Sequence, residues 1–368
     1  MRYAKFDWDC FFLASVFFAK CNGFSRWLWL ATGRCCVSFA AVEKSGGEMR
    51  AYQVRTLDGD AGLAELPEPL AGPGELRLRV AACGLNFADL LMLQGKYQER
   101  PTLPFVLGME LAGTVEELGP GVEGFAVGDR VAVLSGAGGL AECAVVEAAR
   151  CVKLPEEMPF DHAAAFLVAY GTSHLALVHR ARLQAGETLL VTGAAGGVGL
   201  TAVEIGHALG ARVIAQARGA EKLAVAKAAG ADHLIDSEGG DLRAEVKALG
   251  GADVVYDAVG GETFMAALRA TNPEGRLLPI GFAGGAVPQI PANLLLVKNL
   301  TVHGVYWGGY LNFRPEVITE SLTELFSLYA AGKLRPHVSH TLPLEHAEEA
   351  LELLRSRRST GKVVVTMG

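Results

Sequence analysis

The stretch TLLVTGAAGGVGLTAVEIGHALG, residues 188–210, decides the fold of this chain. An apolar run leads into a glycine-rich turn, and a helical pattern comes after it. The turn contains Gly193, Gly196, Gly197, Val198 and Gly199. A glycine turn alone fits any tight connection from strand to helix. Strand, turn and helix in this order favour a dinucleotide site, because the glycines let phosphates approach the unpaired N–H groups at the helix start.

The sequence around this unit, from about residue 170 onward, repeats the alternation of strand and helix. The apolar runs are TLLVTG, ARVIAQA, DHLID, ADVVYDAVG and GRLLPIG. Stretches rich in Ala and Leu, with helical spacing, separate them. This alternation is typical of βαβ units, so we predict a doubly wound parallel sheet.

The chain before this region has a different pattern. RAYQVR, LRLRVAACG, AGTVEELG and DRVAVL resemble strands and are separated by Pro- and Gly-rich turns, which predicts a mostly β domain. A chain of 368 residues is long enough for two domains. Because a six-stranded unit is exhausted near residue 305, we expect the tail to return to the first domain.

The type of nicotinamide cofactor is indicated by ARVIAQARGAEK, which contains the second strand of the parallel sheet and the start of the next helix. Enzymes that use NAD have an Asp or Glu at the end of this strand, to accept from the ribose 2′-hydroxyl. This chain has Arg218 there, and Lys222 one helical turn later. A basic pair on a solvated surface is the alternative. Cations are unfavourable at a helix N-terminus unless an anion lies nearby, so we predict binding of the NADPH 2′-phosphate.

Composition and charge exclude several classes of protein. The net charge is −7 and no dense basic stripe is present, which argues against nucleic-acid binding. The seven cysteines form no Cys-x-x-Cys pair, which argues against a structural zinc lobe and favours a reducing, cytoplasmic location. The apolar run FFLASVFFA, residues 11–19, is too short to span a membrane. We therefore expect no nucleic-acid or membrane partner.

The first 48 residues form a separate segment in the sequence. They contain four of the seven cysteines and lack the features of a secretory signal or a mitochondrial presequence. A regular strand pattern begins only at Met49. We expect residues 1–48 to be a non-native or disordered extension rather than a targeting segment or a part of the fold.

Several motifs together resemble one protein family. They are NFADLLMLQGKYQERPTLPFVLGMELAGTV, VAYGTSHLAL, TGAAGGVG, GFAGG, NLLLVKNLTVHGVYWGGY and STGKVVV. In this order they are similar to zinc-independent quinone oxidoreductases of the medium-chain dehydrogenase/reductase superfamily. The resemblance extends from Met49 to Gly368. It implies an α/β protein with a GroES-like substrate domain at 49–171, a Rossmann NADPH-binding domain at 172–308 and a return to the GroES-like domain at 309–368.

The resemblance also implies roles for individual residues. Asn86 would lie against the nicotinamide and Tyr97 would line the substrate cleft, and both are our candidates for catalytic residues. Thr172 would contact the cofactor near the nicotinamide ribose or the phosphates. The residues expected to close around the cofactor are Gly260, Gly281, Phe282 and Lys362. Dimers are usual in the family, and the stretch NLLLVKNLTVHGVYW could supply an edge strand for a homodimer.

The two positions that hold zinc ligands in zinc alcohol dehydrogenases are changed in this chain. Those enzymes have a Cys in a Gly-x-Cys-x-x-Asp run and a His in a Gly-His-Glu run, where this chain has Asn86 and Met109. Neither an amide nor a thioether is a normal zinc ligand, so we expect no metal. The acceptors would then be quinones or related conjugated carbonyls, which need no Lewis acid. Two alternatives are reduction of enoyl or enal double bonds, and an NADPH-binding sensor or structural protein whose turnover is incidental.

Overall fold

The computed structural model describes residues 47–57 and 59–368, and all of these residues belong to one compact unit. The first strand begins at Glu48, next to the expected start at Met49. The expectation that residues 1–48 stand apart from the fold falls almost entirely outside the described residues and stays a prediction.

The first part of the chain is mostly β, as expected. Its elements are β1 Glu48–Val54, β2 Ala61–Pro67, β3 Glu75–Leu85, α1 Phe87–Leu93, β4 Phe105–Val106, β5 Glu110–Leu118, β6 Arg130–Leu134, β7 Cys143–Glu147 and β8 Cys151–Lys153. Strands β2, β1 and β4 form a small sheet, and β3 is central to a seven-stranded one. Along β3 the inward side chains Leu76, Leu78 and Val80 are buried and alternate with Arg77 and Arg79, the period of a strand with one face in the core.

The second part contains the predicted parallel sheet. Its elements are α2 Phe160–Ala164, α3 Leu167–His174, β9 Thr188–Thr192, α4 Gly197–Ala208, β10 Arg212–Ala217, α5 Gly219–Ala228, β11 His233–Asp236, α6 Leu242–Ala248, β12 Ala252–Asp257, α7 Gly261–Ala270, β13 Thr271–Pro279, α8 Ala292–Lys298 and β14 Thr301–Val302. All neighbouring strands are parallel, in the order β11-β10-β9-β12-β13-β14. The expected α/β class with a doubly wound sheet is confirmed. Such sheets bind ligands where the strand order reverses, which here is the carboxyl end of β9 and β12.

The tail contributes to both parts of the molecule. Its elements are α9 Tyr310–Phe313, α10 Pro315–Ala330, β15 Val338–Pro343, α11 Ala347–Arg355 and β16 Lys362–Thr366. Strand β16 pairs antiparallel with β3, so the chain does re-enter the first sheet. Helix α10 instead shares a core with α3, α4 and the parallel sheet. The domain boundaries at 171 and 308 stay a prediction.

The stretch NLLLVKNLTVHGVYW differs from the expectation of one edge strand. Residues 292–298 form helix α8, and only Thr301 and Val302 pair as strand β14 at the edge of the parallel sheet. Pro291 precedes the helix and Asn299, in the left-handed conformation with φ of 54°, ends it. Among the described residues, no helix has the length and apolar character needed to cross a membrane.

Candidate functional site

The glycine turn between β9 and α4 forms an anion-binding concavity. Gly193 has a φ of +64°, a conformation that glycine adopts without strain. An added Cβ at Gly199 would lie 2.8 Å from the carbonyl carbon of Gly193 and closer still to its oxygen. The amides of residues 197–199 precede the first bonds within the helix and donate to no backbone carbonyl of the described chain. The turn and the start of α4, where Val198 lies, therefore fit a dinucleotide pyrophosphate.

Two cations predicted to bind the 2′-phosphate come directly after β10. Arg218 is the residue before α5, and its side chain is 61 % exposed; its Nε lies 3.7 Å from Oε1 of Glu238. Lys222 donates from Nζ to the carbonyl oxygen of Arg357 at 2.6 Å. Burial lowers the pKa of Lys222, and the neighbouring charges of Arg218 and Arg357 lower it further. Three cations therefore gather where the 2′-phosphate is expected.

Arg357 is a candidate that the sequence did not single out. It lies between α11 and β16, far along the chain from Lys222, and its Nη2 donates to the carbonyl oxygen of Ala283 at 2.5 Å. Its only sequence signal is a short basic run, which usually indicates a solvated surface. The fold of the tail is what brings Arg357 to the cofactor side.

The loops after β12 and β13 lie together beside the glycine turn. Gly260 has a φ of +79°, and Gly281 begins the GFAGG loop. The amide of Ala283 donates to Ala258 at 3.1 Å, which ties the two loops together. Phe282 is 39 % exposed and available to pack against a ligand. These positions agree with a wall of the cofactor cleft, although contact with the cofactor stays a prediction.

A buried polar network surrounds Asn86 at the position of the missing zinc ligand. Lys362 donates from Nζ to Oδ1 of Asn86 at 2.7 Å and forms an ion pair of 3.1 Å with Oε2 of Glu110. The Asn86 Nδ2 donates to the same Glu110 oxygen at 3.0 Å and to the carbonyl of Gly84 at 3.1 Å. Glu110 is fully buried and Lys362 is 5 % exposed. The ammonium of Lys362 is thus directed at Asn86, while its aliphatic stem passes Gly197.

Glu110 is the second residue that the sequence reasoning missed. A single acid in the apolar stretch GMELAG was the available signal, because a carboxylate among buried residues is rare unless it is paired. Its other oxygen accepts from the amide of Val168 at 2.9 Å, in the first turn of α3. Glu110 therefore connects Asn86 and Lys362 with the start of this helix.

Asp89 and Met109 complete the surroundings of Asn86. Asp89 is fully buried and accepts from the amide of Asn86 at 2.7 Å and from that of Met109 at 3.2 Å. Burial raises the pKa of Asp89 to about 6, although the two amide donors and Lys362 act in the opposite direction. The carboxyl group orders the start of α1, because it caps the backbone N–H of Asn86. The thioether of Met109 is 3 % exposed and packs in the core.

Tyr97 packs against the edges of two hydrophobic cores and lies near Tyr306. It is half-buried, and burial and then Glu99 raise the pKa of its phenol to about 12, so it stays protonated at neutral pH. Tyr306, from the segment after β14, donates to Oε1 of Glu99 at 2.9 Å. No residue in 47–57 or 59–368 bonds to the Tyr97 hydroxyl, which leaves it able to donate to a ligand.

Thr172 lies on α3, one helical turn after Val168, whose amide donates to Glu110. It is half-buried, and its neighbour Gly171 packs against the indole of Trp307, where an added Cβ would lie 2.7 Å from Nε1. Position and partial exposure are compatible with a cofactor contact, which remains a prediction.

The donor atoms do not form a zinc site. Within the described part of the chain, no group of three or more His, Cys, Asp and Glu side chains is arranged to hold a metal ion. Cys83 is fully buried, and the desolvation of its thiol raises its pKa far above the usual value.

Comparison with known proteins gives two family models and many relatives. Residues 72–156 match the alcohol dehydrogenase GroES-like domain, and residues 197–327 match a family described as zinc-binding dehydrogenase. Quinone oxidoreductase-like protein 2 from Bos taurus is 42% identical over 82% of this chain and 87% of its own length. Its homolog from Nematostella vectensis is 42% identical over 80% of this chain and 82% of its own length.

A solved structure, the quinone oxidoreductase from Thermus thermophilus, described together with its complex with NADPH, is also similar. Its identity is 38% and its TM-score 0.75, over 86% of this chain and all of that one. The parallel sheet, the glycine turn and these relatives agree with the resemblance seen in the sequence. The chain therefore belongs to the medium-chain dehydrogenase/reductase superfamily of oxidoreductases, among the relatives of quinone oxidoreductase-like protein 2.

Proposed function

We propose that the protein is an NADPH-dependent, metal-independent oxidoreductase that transfers a hydride to quinones or related conjugated carbonyl acceptors. The observation that carries the proposal is the buried network formed by the amide of Asn86, the ammonium of Lys362 and the carboxylate of Glu110. Asn86 stands where zinc alcohol dehydrogenases have a zinc ligand. Lys362 directly follows Gly361, which pairs with Gly196 of the glycine turn. Such a network orders a cleft without supplying a Lewis acid. Acceptors that are already electrophilic are the ones that this cleft suits.

Different residues of the cleft would bind different parts of the cofactor. The amides of residues 197–199 would hold the pyrophosphate, and the cations Arg218, Lys222 and Arg357 the 2′-phosphate. Phe282 and its loop would cover one side. When bound, the cofactor supplies the hydride, and the protein supplies alignment and exclusion of water.

The acceptor would lie between Asn86 and Tyr97. The pKa of about 12 keeps the Tyr97 phenol protonated, so it can donate a hydrogen bond to a carbonyl oxygen that gains negative charge. Reduced quinones take their protons from water, so the site needs no general acid with a pKa near neutrality. The proposed acceptors therefore match a site that has a donor but no metal.

The acceptor class is tested by following NADPH oxidation with 9,10-phenanthrenequinone, 1,4-benzoquinone and crotonyl-CoA. We expect turnover with the quinones and at least about tenfold lower kcat/KM with the enoyl thioester, a difference of roughly 1.4 kcal/mol in transition-state stabilisation. Faster reduction of crotonyl-CoA would replace the quinone proposal with alkene reduction. Tight NADPH binding with no acceptor reduced would indicate a sensor or structural role.

The cofactor preference is tested by Arg218→Ala. A hydrogen bond to a charged group contributes about 1.5–3 kcal/mol, so the ratio of kcat/KM for NADPH to that for NADH should fall roughly 10- to 100-fold. Arg243→Ala, an exposed arginine on α6 outside the proposed site, is the matched control and should leave the ratio unchanged. If the ratio were unchanged in Arg218→Ala, Arg218 would not bind the 2′-phosphate.

We also propose that the protein is a homodimer. Strand β14 is an edge of the parallel sheet, and the side chains of Leu296 and Val297 on the preceding helix are 76 % and 67 % exposed. Exposed apolar residues beside an unpaired strand edge are suited to a second copy of the chain. Light scattering should give twice the mass of the chain, and a monomer at micromolar concentration would contradict the proposal.

A further inference from the structure

The amide of Asn86 is held in one orientation by charges on both sides. Its oxygen faces the ammonium of Lys362, and its two N–H groups face the carboxylate of Glu110 and the carbonyl of Gly84. Turning the amide by half a turn would bring NH₂ against an ammonium and oxygen against a carboxylate. The charges therefore exclude the second orientation.

This orientation uses all of the hydrogen-bond donors of Asn86. Both Nδ2 hydrogens are occupied, and one lone pair of Oδ1 receives the bond from Lys362. The other lone pair of Oδ1 lies on the side of the Asp89 amide in the capping box of α1, but that amide already donates to the backbone carbonyl of Asn86 at 3.0 Å. The second lone pair can therefore still accept from a ligand. Asn86, which is itself only half-buried, can thus accept a hydrogen bond from the cleft but cannot donate one.

The network is built into the cofactor side of the molecule. Gly361, next to Lys362, donates its amide to the carbonyl of Ala195 in the glycine turn at 2.8 Å. Glu110 accepts from Val168 at the start of α3, the helix that carries Thr172. The backbone next to Lys362 is therefore tied to the turn for the pyrophosphate, and Glu110 is tied to α3.

We propose that Lys362 and Glu110 are positioning residues that hold Asn86 as an acceptor-only contact for the nicotinamide end of the cofactor. The inference rests on the proposed NADPH site. The nicotinamide carboxamide and its ribose both carry hydrogen-bond donors, which the free lone pair of Asn86 matches. In this role Lys362 acts through Asn86, while its aliphatic stem lies against Gly197 of the glycine turn.

The test uses the double variant Lys362→Met, Glu110→Gln, which removes both charges together. The amide oxygen introduced at position 110 can still accept from Val168, but its NH₂ group then faces Asn86. No orientation of the Asn86 amide then satisfies both neighbours, because the new NH₂ group needs an acceptor while the carbonyl of Gly84 needs a donor. Asn86 is therefore no longer held with its oxygen as the only group offered to the cleft. Because position 110 no longer carries a charge, the double variant should unfold at a higher temperature than Lys362→Met alone, although Asp89 also loses the nearby ammonium.

The readout compares binding of NADPH with binding of 2′-phospho-ADP-ribose, which lacks the nicotinamide. We expect the double variant to bind NADPH roughly three- to tenfold more weakly and 2′-phospho-ADP-ribose as well as wild type does. Asn86→Ala, which leaves the ion pair of Lys362 and Glu110 intact, should give the same pattern. With quinone, kcat should fall while KM for the quinone changes little.

The control is Lys153→Met, Asp129→Asn, which removes an exposed ion pair of 2.7 Å and should change neither affinity. Equal weakening of both ligands, or unchanged NADPH affinity in Asn86→Ala and the double variant, would overturn the inference. The binding test is independent of the acceptor: a wild-type protein that binds NADPH but reduces no quinone loses only the proposed function. A wild-type protein that binds no NADPH would overturn both.

Discussion

Replacing Gly199 with alanine is expected to raise the dissociation constant for NADPH by at least about tenfold, because the turn that holds the pyrophosphate must open. The added Cβ would lie 2.8 Å from the carbonyl carbon of Gly193 and 3.0 Å from the Cα of Ala194. Both are backbone atoms, so no side chain can move aside. Local strain of this kind costs about 1–3 kcal/mol, and its relief displaces the amides of residues 197–199 from their common direction.

Isothermal titration with NADPH measures this effect directly. Gly239→Ala is the matched control: it lies in a loop where an added Cβ meets no atom within 4 Å, and it should bind as wild type does. Wild-type affinity in Gly199→Ala would mean that the glycine turn is not the pyrophosphate site.

The second large effect is expected from Lys362→Met, a change that leaves the carboxylate of Glu110 without its cation. Glu110 is fully buried, and removal of one partner of a buried ion pair costs about 3–5 kcal/mol. The midpoint of urea unfolding should therefore fall clearly below that of wild type. The double variant with Glu110→Gln should recover most of the lost stability, since an uncharged pair needs no counter-ion.

Lys153→Met is the control for the loss of a lysine ion pair. Its pair with Asp129 is also short, at 2.7 Å, but its side chain is 53 % exposed. Exposed pairs contribute about 0–1 kcal/mol. If Lys362→Met and Lys153→Met lowered the stability to unfolding by the same small amount, the buried network would not have the stabilising role assigned to it.

Local patterns predicted the parts of the fold that depend on local structure. The strand, turn and helix around Gly193 and Gly199 are contiguous in sequence, and the structure contains them at the predicted residues. The secondary structure of the stretch containing Leu296 was harder to predict, because an apolar run of this length fits a helix or a strand equally well. Pro291 and Asn299 decided in favour of helix α8.

The contacts across the chain could not be predicted from local patterns. Asn86, Glu110 and Lys362 are separated by up to 276 residues and meet only because β16 pairs with β3. Arg357 joins Lys222 for the same reason. Residue types marked these positions as unusual, but only the tertiary fold assigns partners to them.

The most direct test of metal-independent hydride transfer measures zinc content and NADPH-dependent reduction of 9,10-phenanthrenequinone in the same preparation. Asn86 and Met109 are not zinc ligands, so purified protein should contain no stoichiometric zinc. Its rate should be unchanged by EDTA or 1,10-phenanthroline. About one zinc per chain, removed by the chelator together with the activity, would contradict the account.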